Sequence, residues 1–401
     1  MRYNPAMYAF RLNRKIRRPY KRTFFITLLW GTAATLLLNA CGQSRSAPDI
    51  FALPVTYMVG KKPAALKARD MNNDGFPDIL VCNSESNTLN FFEALGDGTF
   101  KQSLTMNTGR EPVALETGDF NGDRIQDIAI SNYGDGNLSI VLGQKDGVFK
   151  LKTNVKVGRL PIAVAAGDFN NDEKLDLAVT LRFDKLVILL GRGDGSFKLA
   201  ESYGAPGTPA YMTVGDFNSD KNLDIAIAFN AVQVNFIRIF YGNGDGTLKN
   251  PVRIDGGGQS SFIAQYDVNQ DGKIDLISSS TMKDVIKVFL GDARGTFTPT
   301  QDAAAEKGPE HIVAGDFTGD RIPDLVVGNR RDASISVLEG RGDGTFIFPH
   351  FNYPVGANPR AMTGADFNDD GLTDLAILLY DRQRLEILLR KFGSPSSQLE
   401  P

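Results

Sequence analysis

Asp70-Met71-Asn72-Asn73-Asp74-Gly75-Phe76-Pro77-Asp78 decides the fold, because the chain repeats this phrase seven times. The other copies open at Asp119, Asp168, Asp216, Asp267, Asp316 and Asp366, in steps of 49, 49, 48, 51, 49 and 50 residues. So constant a period over nearly the whole chain means one structural unit repeated, not a string of unrelated domains.

A second phrase falls between the first ones. Leu95-Gly96-Asp97-Gly98-Thr99-Phe100 has counterparts at 142–149, 190–197, 241–248, 290–297 and 339–346. Asp-Gly between apolar runs is a hairpin signal, since glycine accepts the positive φ that tight turns need. The second unit then reads as strand A over 113–118, an aspartate loop over 119–127, strand B over 128–131, strand C over 138–142, the glycine hairpin, and strand D over 149–155. Alternation such as Leu138-Ser139-Ile140 suits strands, and no segment of the body carries a helical period. Four short strands in each unit of about 50 residues predict an all-β, seven-bladed β-propeller with four-stranded antiparallel blades.

The seventh unit lacks the glycine hairpin and strand D. The missing strand stands at the other end of the chain. Phe51 lies nine residues before Gly60, as Phe100 does before Gly109 and Phe149 before Gly158. Residues 51–58 are therefore expected to complete the last blade, closing the ring and removing exposed edges. This also predicts a mature chain that is complete, with the propeller at 51–392, a tether at 41–50 and a loose tail at 393–401.

The repeated loop has the form D-x-[DNT]-x-D-x-x-x-D, which sets four oxygen-bearing side chains at positions 1, 3, 5 and 9. They are Asp70, Asn72, Asp74 and Asp78; Asp119, Asn121, Asp123 and Asp127; Asp168, Asn170, Asp172 and Asp176; Asp216, Asn218, Asp220 and Asp224; Asp267, Asn269, Asp271 and Asp275; Asp316, Thr318, Asp320 and Asp324; and Asp366, Asn368, Asp370 and Asp374. With a carbonyl at position 7, such a loop offers the irregular all-oxygen shell that Ca2+ accepts, up to one ion per blade. Zinc lacks its usual ligands, because the body holds two histidines and, Cys41 aside, one cysteine. Position 12 is Val81 or Ile130 where an EF-hand needs a bidentate glutamate, so this is a different loop. Turns capped by Asx residues would not need three carboxylates each. Glycine at position 6 (Gly75, Gly272, Gly371) favours the first, fifth and seventh loops, and Thr318 marks the sixth as the weakest.

These loops and hairpins resemble FG-GAP/VCBS repeats, as in the propeller of integrin α-subunits, over about residues 51–392. The resemblance implies calcium in the A–B loops on one face and ligand recognition on the opposite face, which carries the D–A and B–C loops.

Residues 1–40 carry eight basic and no acidic side chains, which leaves 36 basic against 47 acidic for residues 41–401. An acidic body argues against nucleic acid as a partner. The basic head and the 15-residue apolar run 24–38 suit a signal peptide. Leu38-Asn39-Ala40-Cys41-Gly42 resembles a bacterial lipobox, which implies cleavage after residue 40 and an exported lipoprotein. Its one membrane attachment would be the lipid on Cys41, at the outer membrane or cell surface. Ordinary cleavage near Ala40 with a free thiol is the alternative.

Five residues before each first aspartate stand Ala65, Ala114, Ala163, Tyr211, Phe262, His311 and Ala361. Three consecutive blades thus replace alanine by a ring, with Arg360 next to the last position. Together with Tyr380 in a B–C loop, Tyr211, Phe262, His311 and Arg360 form a candidate patch for a glycan or an extracellular or envelope protein. The same residues would serve equally as packing between blades. No nucleophile or nucleotide motif appears in a plausible context. Two other readings stay open: a polysaccharide-degrading enzyme of the lyase type using Tyr211, Tyr380 and Arg360, and a structural subunit of an envelope complex. Arg192-Gly193-Asp194 and Arg341-Gly342-Asp343 fall inside the repeated hairpin and read as turn chemistry.

Overall fold

The computed structural model describes residues 49–391, apart from 146, 184, 232–235, 257 and 349. These residues form seven antiparallel sheets. Strand A of each is Pro63–Arg69, Pro112–Gly118, Pro161–Gly167, Pro209–Gly215, Ser260–Tyr266, Pro309–Gly315 or Pro359–Ala365. Each strand A lies beside the strand A of the next blade, and Pro63–Arg69 lies beside Pro359–Ala365, so the seven inner strands encircle a channel.

Strand B explains itself by burial. Asp78–Asn83, Asp127–Asn132 and their five counterparts are buried at every residue. Each is covered on both faces by neighbouring blades, so its sequence runs apolar rather than alternating. The outer strands, such as Phe149–Lys156, alternate and face water on one side. The cores lie between blades: Ile79, Val81 and Phe92 of the first pack with Phe367, Leu378 and Leu385 of the seventh.

The ring closes as expected. Val55–Met58 pairs antiparallel with Arg384–Leu388, in the register Val55 with Ile387 and Tyr57 with Leu385, and Phe51 bridges Arg390. The Tyr57 hydroxyl also accepts the Phe100 N–H at 2.8 Å, tying the closing strand to the first blade. One irregularity was not expected. The outer strand of the fifth blade is split into Phe297–Pro299 and Ala303–Ala304, both paired to Val285–Gly291.

Hydrogen bonds sort the loops onto two faces. B–C loops bond D–A loops, as in Tyr133 N–H to Glu111 O and Arg330 N–H to Gly308 O. C–D hairpins bond the A–B loop of the preceding blade, as in Gly195 N–H to Phe120 O and Gly246 N–H to Phe169 O.

The aspartate loops and the channel pocket

Each aspartate loop is wound around its first carboxylate. In the first loop Asp70 Oδ1 accepts the Asp74 N–H at 3.2 Å and Oδ2 the Gly75 N–H at 3.0 Å. Position 6 must turn left-handed to make the second bond. Gly75 does so at φ 94°, and Arg124, Glu173, Lys221 and Arg321 do so at φ 65–69° despite their side chains. The position-5 carboxylate folds back on the position-7 N–H, as in Asp74 Oδ1 with Phe76 at 2.9 Å. Asn72, Asn121, Asn218 and Asn368 each donate their amide to the position-5 carboxylate.

The last aspartate plays a different part. Asp78 is fully buried; its Oδ2 accepts the Met71 N–H at 2.9 Å and its Oδ1 the Ala94 N–H at 2.8 Å. The same clamp recurs at Asp127, Asp176, Asp224, Asp275, Asp324 and Asp374. One carboxylate so closes the loop and holds the end of strand C. Burial pushes these carboxyls up, to about 6 at Asp78, Asp127, Asp176, Asp224, Asp324 and Asp374, while the two N–H bonds pull back down.

Convergence of carboxylates differs among the loops. Among the described residues, oxygens of three carboxylates come within 4.8 Å of one another at Asp316, Asp320 and Asp324. This is the sixth loop, which its sequence ranked last. Without an asparagine at position 3, the Thr318 N–H joins the Phe317 N–H on Asp324 Oδ2. Oxygens of the hard-ligand type are present in all seven loops, so the residues fit a calcium ion chemically.

The channel holds a cavity of 1110 Å³ that runs from Tyr133, Arg182 and Asn230 at the D–A and B–C end to Asp119 and Gln126 at the aspartate-loop end. Ala65, Ala114, Ala163 and Ala361 line it on one side, and Tyr211 and His311 on the other. Tyr211 and Phe262 stack with centroids 4.3 Å apart, Phe262 and His311 4.6 Å apart, and Tyr211 meets His311 edge-on at 5.8 Å. The pocket is off-centre because rings fill three blades and alanines leave four open. Each strand A carries a bulge at its start, and in the sixth blade the bulge spans Glu310 and His311. Such bulges re-aim side chains. Burial, then the Arg360 guanidinium, holds the His311 imidazole well below its ordinary value. Neither it nor the Tyr211 hydroxyl has a hydrogen-bonding partner among the described residues.

The FG-GAP-like repeat model matches residues 70–130, 119–179, 168–227, 216–278, 267–327 and 316–377 in overlapping spans. The chain belongs to the FG-GAP-like repeat family. Human integrin alpha-8 is 29% identical over 157 residues, which span 36% of this chain and 13% of that protein. The chain thus matches a small part of that relative's length. Among solved structures, a chain of the crystal structure of BBS1N in complex with ARL6DN superposes with a TM-score of 0.63 at 11% identity, covering 88% of this chain and 99% of that one. This last likeness concerns the fold alone.

Within this FG-GAP-like propeller the expected ligand residues divide. Tyr211, His311 and Arg360 line the cavity. Phe262 does not reach it; only 7% exposed, it backs the other two rings. Tyr380 starts a short 3-10 turn at Tyr380–Arg382 and is absent from the cavity wall. Glu310, which the sequence places beside His311 as Arg360 stands beside Ala361, lines it too, with Arg182 and Tyr133. The two Arg-Gly-Asp triplets are turns: Gly193 and Gly342 have φ of 74° and 77°, and Asp194 and Asp343 cap the Ser196 and Thr345 N–H groups. Cys82 is a buried free thiol, and Cys41 lies outside the described residues.

Proposed function

We propose that this FG-GAP-like propeller is an exported, calcium-stabilised binding module that takes a glycan in the off-centre pocket. The carrying observation is the one-sided wall of rings. Packing alone would be served by similar residues in all seven blades, whereas here a half-exposed Tyr211 faces four alanines across an open cavity. A flat ring with an unpartnered polar edge is a common platform for sugars. Export as a lipoprotein through Cys41 rests on the leader sequence, and kinship with integrin alpha-8 agrees with a place outside the cell.

Binding of the full-length chain to a glycan array in millimolar calcium tests the reading. Specific signals lost in Tyr211→Ala support it; a blank array from folded protein refutes it. Calcium is tested separately, because an ion that binds only the folded state stabilises it by mass action. The melting temperature is expected to fall in chelator and to recover on adding calcium in excess.

A lyase reading has one observation in its favour. Tyr211, His311 and Arg360 stand together on the cavity wall, and the Tyr211 phenol, protonated at neutral pH, could donate to a leaving group there. Arg360 would meet the developing negative charge. Ultraviolet absorbance of an unsaturated product from an acidic polysaccharide checks this reading, and its absence with a bound substrate leaves a binding module.

A further inference from the structure

The charges at the pocket end of the channel do not balance. Glu310 is buried, and its carboxylate accepts from Arg330 at 2.9 Å and from Arg360 at 3.3 Å. One anion therefore holds two cations, whose side chains remain 47% and 40% exposed. On another part of the wall Arg182 bonds the Tyr133 hydroxyl and meets no carboxylate among the described residues. Deeper in, Lys67 and Glu116 neutralise one another at 2.6 Å. Over the whole wall Lys67, Arg69, Arg182 and Arg360 stand against Glu116, Asp119 and Glu310, an excess of one cation within a body of 36 basic and 47 acidic side chains.

A local sign opposite to that of the whole body concentrates anions at this place. Each guanidinium has five N–H donors in a planar fork. Glu310 takes one hydrogen bond from Arg330 and one from Arg360, which leaves the outward donors of Arg360 directed by a fixed anchor but unspent. Planar, multi-donor recognition of this kind suits a carboxylate.

We propose that the pocket takes a carboxylated saccharide, a uronate-containing oligosaccharide. One sugar ring stacks on Tyr211, its hydroxyls reach the Tyr211 hydroxyl and the His311 imidazole, and its carboxylate lies on the free side of Arg360. Arg330 and Arg182 favour further acidic units along the rim. The alanines leave room for a rigid ring on the opposite wall, and the half-exposed phenol supplies its flat apolar contact. This inference rests on the glycan-binding reading above and narrows it to one ligand class.

Calorimetric titration of the full-length chain in calcium separates the two claims. The probes are tetragalacturonate, galactotetraose as its neutral counterpart, and tetraglutamate as an acidic peptide. Tetragalacturonate is expected to bind about tenfold or more tightly than galactotetraose at low salt, since charge-assisted bonds are roughly twice as strong as neutral ones. Arg360→Gln should erase that preference with the unfolding midpoint near that of wild type, and Tyr211→Ala should weaken both sugars. Equal affinity for the two sugars overturns the carboxylate assignment and leaves glycan binding standing. Binding of neither sugar by folded protein overturns glycan binding itself. Tetraglutamate binding as tightly as tetragalacturonate overturns the saccharide assignment in favour of an acidic peptide.

Discussion

The guanidinium of Arg390 donates to the backbone carbonyl of Asp316 at 2.9 Å, so the last blade reaches into the aspartate loop of the one before it. Arg390 is buried, and in five other blades its place at the end of strand C is a glycine, as at Gly143 and Gly340. Replacing it by methionine keeps much of the volume and removes the charged donor. A loss of about 1.5–3 kcal/mol, the usual worth of a bond to a charged group, is expected in denaturant unfolding. An unchanged midpoint would mean that water replaces the bond without cost.

The two kinds of aspartate in a loop should separate by mutation. Asp224→Ala orphans the buried Phe217 and Gly242 N–H groups and is expected to cost about 3 kcal/mol or more, with or without calcium. Asp216→Ala removes a more exposed carboxylate, and its cost should grow when calcium is present. Unfolding of both variants in chelator and in calcium checks this. Equal costs for the two in chelator would remove the distinction.

At the ring closure, Tyr57→Phe keeps the ring contacts with Phe92 and Phe100 at 5.7 and 6.0 Å and removes the acceptor for the Phe100 N–H. The expected cost is about 1 kcal/mol. Hydrogen exchange at Phe100 should rise in the variant, and exchange at the wild-type rate would count against the bond.

Close approach fixes one more position. A Cβ on Gly191 would stand 2.1 Å from the Leu175 carbonyl oxygen, which is backbone and cannot swing aside. Gly191→Ala should therefore destabilise by about 1–3 kcal/mol, as overpacked sites do. A neutral result in thermal unfolding would show that strand C shifts freely.

The pH dependence has a definite sign for the buried aspartates. In the unfolded chain such a carboxyl titrates near 3.8, and folded Asp224 titrates near 6. Between those values the folded state holds a proton that the unfolded state has released. This contribution to stability is full below about pH 4 and is lost as pH rises through 6. Hairpin carboxylates such as Asp97 and Asp245, held low chiefly by Thr99 and Thr247, act the opposite way. The clean measurement is a difference in chelator: from about pH 4 to 6.5, wild type should lose stability relative to Asp224→Asn. A gap that stays flat or reverses would refute the buried-proton account.

The sevenfold period, the four strands and the closing strand were all legible, because each is written in local spacing that repeats. Phe51 could be paired with the missing strand simply by comparing its distance to Gly60 with that from Phe100 to Gly109. The double role of the loop aspartates was not legible. Asp78 and Asp70 look alike in the pattern, and only the fold puts the Ala94 N–H against one of them. The pairing of Glu310 was hidden for a similar reason: its partners Arg330 and Arg360 come from a loop and a neighbouring blade. Tyr380 was placed with the pocket by loop type, but a short 3-10 turn carries it elsewhere. Composition alone did not foresee that three carboxylates converge in the sixth loop.

The closing strand also sets an order in time. Val55–Met58 leaves the ribosome ahead of every blade, yet its partner Arg384–Leu388 is made after all the others. Six blades pair strands contiguous in the chain, while this first strand has its partner at the far end. Such long-range pairing is slow and leaves an edge open to wrong partners. Joining of the ends thus needs a chain synthesised through Leu388, and one interrupted earlier would keep its first strand available to a neighbouring molecule.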